Sequence, residues 1–271
     1  MAPDERRGES ARAVVPVLEA RAGGPAERFA DLVGSHPAAV FVAALLCGYV
    51  ALAGASVLLA LFVTDVLVGV DGIADADESA ITSLVAERTP FLTDASSVGS
   101  AVGGAPVLPI IVGIIGIVCA FLRKWRIAAF AVFVLVVESA TYRVTSWLVA
   151  RERPDVHRLE NLPPDQSYPS GHTAAAIAVY AGLVLLLTSA FPGRRLRAAA
   201  WAAAIILPIF VAMSRMYRGM HHPLDVAGGV FVGIGALLVL LFACRAAEAA
   251  ARAPIRSRAP VARRRGVQAA S

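Results

Sequence analysis

Long apolar runs alternate with short polar breaks through most of the chain. Residues 37–64 carry no charge, and comparable runs cover about 105–122, 127–150, 172–191, 198–213 and 224–244. Each approaches the ~20 residues that a helix needs to cross hydrocarbon. The runs are apolar all round, without the one-sided stripe of a soluble surface helix, which is the pattern of a helix with lipid or protein on every side. The 127–150 run is interrupted by Glu138 and Arg143, and Glu138 reads as a polar contact between helices or as a partner for an arginine such as Arg143 or Arg215. The breaks differ in kind. Residues 65–94 are acidic, with Leu67, Ile73, Ile81, Leu84, Val85 and Phe91 spaced for a short amphipathic helix on the membrane surface. Residues 151–170 are Pro-rich and too polar for hydrocarbon. The pattern predicts an all-α protein: an integral membrane helical bundle of six transmembrane helices over 37–244. Residues 1–36 read as a partly disordered cytoplasmic tail, with no short apolar core of a cleavable signal. Residues 245–271 read as a basic, disordered tail.

Composition supports this assignment, since 58% of the 271 residues are hydrophobic, against roughly 45–50% in soluble domains. The three cysteines, Cys47, Cys119 and Cys244, lie far apart inside apolar runs and match no redox or metal spacing. The net charge is +5 and almost all the cations are arginines. They cluster at the ends of apolar runs and form no single basic face, which argues against nucleic acid as a partner. Their distribution orients the chain. The two tails and the breaks at 123–126 and 192–197 fall on one side and carry arginine, while 65–94 holds seven acids against Arg88 alone. The positive-inside rule therefore predicts a multi-pass protein of the cell membrane with both termini cytoplasmic. The breaks 65–94, 151–171 and 214–222 face outward.

Two outward breaks hold the chemistry. Arg151, Arg153, Arg158, Arg215 and Arg218 violate the charge bias, and a bound phosphate would offset that cost. Ser170 is suited to cap a helix start, Gly171 allows backbone to approach a ligand, and free N–H groups there attract an anion. His172 in that turn can give a proton to a leaving oxygen. Arg153 and Arg215 offer planar forks that match phosphate. His221 and Asp225 lie four apart, with Pro223 in the first turn of the last helix, so the carboxylate can hold one ring nitrogen and leave the other free to attack. His222 points elsewhere by spacing. No two histidines have the i, i+4 spacing of zinc ligands and the arginines repel a cation, so neither a metal nor another cofactor is expected.

Pro169-Ser170-Gly171-His172, and Ser214-Arg215 followed after five residues by His221 and after three more by Asp225, resemble two signature motifs of the type 2 phosphatidic acid phosphatase superfamily, which includes the vanadium-dependent haloperoxidases. The first signature, Lys, six residues, Arg-Pro, is matched only at Arg153-Pro154. Ser146 stands at the lysine position, and Arg143 and Arg151 are the candidates to replace that lysine. The resemblance implies a metal-independent phosphatase acting on a lipid phosphate. His221 would be the nucleophile, Asp225 its orienting partner and His172 the acid and then the base. Arg153, Arg215, Ser170 and Gly171 would bind the phosphoryl oxygens. Loop 155–168 would be a lid, with Arg158 an added phosphate contact. Undecaprenyl diphosphate, phosphatidate and phosphatidylglycerophosphate are the candidate lipids. The alternatives are a haloperoxidase-like oxidoreductase, a lipid phosphotransferase and a non-catalytic membrane relative.

Overall fold

The computed structural model describes residues 15–190 and 193–257. The chain is all-α: α1 (Pro25–Val33), α2 (Pro37–Leu61), α3 (Ile73–Ala86), α4 (Pro90–Val102), α5 (Val107–Phe121), α6 (Trp125–Leu148), α7 (Gly171–Ala176), α8 (Gly182–Ala190), α9 (Arg194–Tyr217) and α10 (Pro223–Ser257). Single π-helical turns extend α2 over Phe62–Leu67 and join α7 to α8 over Ile177–Ala181. Six helical stretches are long and apolar enough to cross a membrane: Pro37–Leu67, Pro90–Phe121, Trp125–Leu148, Gly171–Ser189, Arg194–Tyr217 and Pro223–Ala253. The protein is a multi-pass membrane bundle.

Helix α10 is its axis. Half of its apolar window is buried, against 22% for Pro90–Phe121 and for Arg194–Tyr217. Phe130, Val134 and Val137 of α6 meet Leu237 and Leu240 of α10 in the main core, beside Leu52 of α2. On the outer surface Val50, Leu58, Ile114, Ile117, Ile206 and Leu238 are more than half exposed or close to it. That is the inverse of a soluble protein and the expected lipid-facing girdle.

Glycines set how closely α7 rests on α10. A Cβ at Gly229 would stand 2.5 Å from the Ser170 carbonyl, and one at Gly233 would stand 2.6 Å from that of Ala174. Small residues let the two backbones approach where larger side chains would hold them apart.

Three expectations need correction. The second span, expected over about 105–122 or from within the Gly/Ser/Ala-rich lead before it, begins at Pro90. Thr89 caps it, its hydroxyl accepting from the Leu92 N–H at 3.2 Å, and Pro90 occupies the first turn. Its small polar residues dilute the apolar signal because Ser96, Gly99 and Ser100 are buried against protein, not turned to lipid. The amphipathic helix in 65–94 exists as α3, but it does more than lie on a membrane surface: Asp77 and Ile81 are buried. The tails are also more ordered than expected. Residues 15–33 fold against the far end of α10, where Glu248 accepts from the Ala20 N–H at 3.0 Å and Arg245 donates to the Val17 carbonyl at 3.0 Å. The Ala-rich stretch after Cys244 continues α10 to Ser257, as its high helix propensity favours. The remainder of both expected disordered tails, 1–14 and 258–271, lies outside the described residues.

The connections 68–72, 149–170 and 218–222, together with α3, gather at one end of the bundle. The predicted catalytic residues are all at that end.

Candidate active site

The connection after α6 folds back on itself. Arg151 and Gln166 form an isolated bridge, the Arg151 N–H donates to Asp165, and Ser167 returns a bond to the Arg151 carbonyl, both at 2.9 Å. Arg153 locks this fold. Its Nε, Nη1 and Nη2 donate to the carbonyls of Pro163, Met220 and Gln166 at 2.8, 2.5 and 2.8 Å. It ties the loop to the residue preceding His221, and two of its five N–H groups remain for a ligand.

His221 lies two residues before α10 and its ring is buried. Nδ1 lies 2.7 Å from the Ser167 carbonyl, a hydrogen bond that places the proton on Nδ1, and 3.7 Å from Asp225 Oδ2, beyond hydrogen-bond reach. The residue expected to hold the ring therefore acts one step back. Asp225 accepts from the Ser167 hydroxyl at 2.5 Å and from the His222 N–H at 2.8 Å, and its own carbonyl accepts from the Ser170 N–H at 2.9 Å. It fixes the segment that supplies the acceptor. Burial pushes His221 down to about 4; the Asp225 charge opposes this, and Arg215 and Arg153 reinforce it. The ring is therefore neutral near pH 7, with an unprotonated Nε2.

His222 shows the opposite balance. Burial disfavours its charge, but Asp225, 3.4 Å from Nδ1, and Glu78, 2.9 Å from Nε2, raise it above the ordinary histidine value. Arg151 sits between carboxylates, paired with Asp225 Oδ1 and, at 2.5 Å, with Asp77 Oδ2. Asp77 also accepts from the Leu224 N–H at 3.0 Å. Helix α3 thus braces the start of α10 from outside, and the Arg151 fork is committed to these acids.

Arg215 is completely buried. Its Nη1 donates to the Ser100 hydroxyl at 2.5 Å and to Glu160 Oε1 and Oε2 at 2.8 and 2.7 Å, while its Nε and Nη2 are buried without a partner. Arg218 Nε reaches the same carboxylate at 2.6 Å. Arg215, Glu160 and Arg153 are the charged neighbours of His172, and His221 lies beside them. The His172 ring lies against the backbone at Gly104, in the break between α4 and α5, where a Cβ would stand 2.5 Å from Nε2. Ser170 is buried at the cap position of α7, but its hydroxyl pairs with that of Thr173 at 3.0 Å rather than with a backbone N–H. The Tyr142 ring covers Gly171.

One predicted residue lies apart from this group. Arg143 is exposed on α6 and has no hydrogen bond into the site, while Ser146, three residues on, is buried and donates to the Arg143 carbonyl at 3.3 Å. Arg158 lies on the loop, its Nη1 buried without a partner. The same loop lines an open cavity of about 520 Å³ with Val156, His157, Arg158, Leu159, Glu160 and Asn161. Sequence reasoning passed over Ser100, Glu160, Ser167, Asp77 and Glu78. Their only signals were small polar residues in the lead of a span and acids beside the arginine-rich breaks.

Residues 125–248 match the family model of the PAP2 superfamily. An undecaprenyl-diphosphatase of Sulfolobus acidocaldarius is 36% identical over 118 residues, 42% of this chain and 53% of the relative. Phosphatidylglycerophosphatase B of Bacillus subtilis is 27% identical over 165 residues, 60% of this chain and 81% of the relative. The chain thus spans about half the length of the first of these. The crystal structure of a transmembrane PAP2-type phosphatidylglycerolphosphate phosphatase from Bacillus subtilis superposes with a TM-score of 0.59 at 24% identity, over 76% of this chain and 94% of that one. At that identity the likeness speaks for the fold.

Proposed function

We propose that this chain, whose residues 125–248 match the PAP2 superfamily model, is a lipid phosphate phosphatase that works through a phosphohistidine and without a metal. The observation that carries this reading is Arg215, a fully buried guanidinium with two unpartnered nitrogens and with His221 and His172 among the groups around it. Buried donors left without acceptors are costly, and a phosphoryl group would satisfy the two nitrogens that Glu160 and Ser100 do not reach.

The chemistry follows from the positions. Nε2 of neutral His221 attacks phosphorus while the bond from phosphorus to the ester or anhydride oxygen breaks. His172, charged once the substrate phosphate lies beside it, gives its proton to that leaving oxygen. His172 then takes a proton from water, the hydroxide attacks the phosphohistidine, the P–N bond breaks and inorganic phosphate departs. Arg215, the free N–H groups of Arg153 and the first-turn N–H groups at Gly171 and His172 stabilise the charge on the equatorial oxygens, with Ser170 at the cap. Phosphoryl transfer depends mainly on positioning and charge of this kind. Asp225 and Arg151 hold the frame. Arg143 keeps only a weak claim to the missing lysine's role, since it lies exposed on α6.

A site at one end of a six-span bundle suits a phosphate carried on a membrane-embedded chain. The named relatives extend the candidates to undecaprenyl diphosphate and phosphatidylglycerophosphate. The arginine-bearing end carrying 123–126, 194–197 and the clasped segment 15–33 supports cytoplasmic termini, which would turn the site outward at the cell membrane. The test is phosphate release from a panel of lipid phosphates in detergent with EDTA present. Wild-type protein should release phosphate, and His221→Ala should not. Full activity in His221→Ala would exclude the nucleophile; loss of wild-type activity with EDTA would exclude metal independence.

A further inference from the structure

Arg215 and Arg218 lie three residues apart, so a single helical turn brings both guanidinium groups to one face of the α9 terminus. Between them stands the Glu160 carboxylate. It is held by Arg215 Nη1 at 2.7 and 2.8 Å, by Arg218 Nε at 2.6 Å and by the Ser100 hydroxyl at 2.8 Å. Two forks and a hydroxyl around one anion is the donor set that a phosphoryl group takes. Glu160 is not part of a helix that would fix it there. It belongs to the loop lining the open cavity, and its side chain remains 25% exposed. Arg218 is also suited to the place: Ser96 Oγ at 3.2 Å and the Leu159 carbonyl at 3.3 Å support its two terminal nitrogens, leaving Nε for the anion.

We propose that Arg218 is a second phosphate-gripping arginine of this site, and that Glu160 is an internal anion that neutralises Arg215 and Arg218 in the empty enzyme and yields its place to the substrate phosphate. This rests on the reading of the Arg215 surroundings as the phosphate site. Two arginines facing each other without an anion would repel, and one carboxylate removes that cost between turnovers. A phosphate monoester brings more charge than the carboxylate and can also engage the vacant Nε and Nη2 of Arg215, so the exchange runs toward substrate. Acid does not release the carboxylate. Burial would raise Glu160, but Arg215, Ser100 and Arg218 hold it down to about 2, so it stays charged and only a competing anion displaces it.

The experiment uses inorganic phosphate as the probe, with its inhibition constant against a lipid phosphate and its stabilisation of the detergent-solubilised protein measured together. Glu160→Gln keeps the shape and removes the competing charge, so phosphate should bind roughly 10-fold tighter. Arg218→Leu should weaken phosphate roughly 10-fold and raise KM by more than it lowers kcat. Arg218→Lys, which keeps the charge, should recover part of the loss. Unchanged or weaker phosphate binding in Glu160→Gln, or unchanged phosphate binding and KM in Arg218→Leu, would overturn the proposal. Arg215→Lys separates the two levels. If it weakens phosphate while the other variants do nothing, this inference alone fails. If phosphate neither inhibits nor stabilises the wild type, the phosphatase reading fails with it.

Discussion

His221 and His222 are adjacent in sequence yet opposite in charge tendency, and what each ring touches is the whole reason. His221 has a carbonyl at Nδ1, no anion within hydrogen-bond reach and two arginines nearby. His222 lies between Asp225 and Glu78. In the ¹⁵N-histidine spectrum of the protein in detergent, the signal lost in His221→Gln should stay neutral as pH falls through 6.5 and protonate near 4. The signal lost in His222→Gln should protonate above 6.5. The sign follows from burial, which removes the charged form of His221 first, and from the carboxylates, which restore it for His222. A His221 midpoint near 6.5 would mean that the ring is not sealed from water. Asp225 has a testable role at the same scale. Asp225→Asn keeps the shape but loses the charge that Arg151 pairs with and one acceptor for Ser167 and the His222 N–H. It should lower kcat by roughly 100-fold or more, with KM changing less. The types and spacing of His172, His221, Arg215 and Asp225 were legible in the sequence because a charged group beside an apolar run demands an explanation. The Ser167 carbonyl was not legible, because a backbone acceptor leaves no mark on residue type.

At the scale of elements, the span starts explain what sequence could and could not locate. The continuous runs of α2, α6 and α10 declare themselves, whereas α4 is helical through Ser, Thr and Gly residues that resemble a loop by composition. Those residues are small and polar because they face α9 and the anion site, so the feature that obscured the helix is the one that serves the site. Likewise α3 shows amphipathic spacing, but only the fold shows that its acids clasp Arg151, His222 and the start of α10. The close fit of α7 on α10 yields a sharp expectation. A methyl group at Gly229 meets the Ser170 carbonyl, part of a backbone that also carries the His172 turn. Gly229→Ala should cost ~1–3 kcal/mol of stability. It should also lower kcat out of proportion, because the strain falls on the catalytic turn. Thermal melts and kcat measured on the same sample would separate the two effects, and a variant with wild-type kcat would show that α7 can shift without consequence.

For the molecule as a whole, the predicted catalytic residues stand at one end of the bundle and the arginine-rich breaks 123–126 and 194–197 at the other. This polarity was readable from charge alone, since it needs only the order of runs and breaks. Its absolute direction can be measured. With the native cysteines replaced, Asn161→Cys should react with a membrane-impermeant thiol reagent in intact cells, and Arg195→Cys should react only after lysis. The reverse result would invert the bundle and put the chemistry on the cytoplasmic side.

The clasp of residues 15–33 on the far end of α10 has a mechanical consequence. At 1.5 Å per residue, the 35 residues of α10 reach about 52 Å, well beyond a hydrocarbon layer of ~30 Å. Since the helix begins at the site, the surplus projects from the opposite face, and α1 thickens it there into a brim. Arg126 and Arg252, both partly exposed on that brim, resist being drawn into lipid. The bundle is then fixed at one depth of immersion, and the height of His172 and His221 above the acyl chains is set by bilayer thickness. A thinner membrane would lift them away from the plane of the substrate headgroups and a thicker one would sink them, so turnover should pass through an optimum as the lipid chains are lengthened.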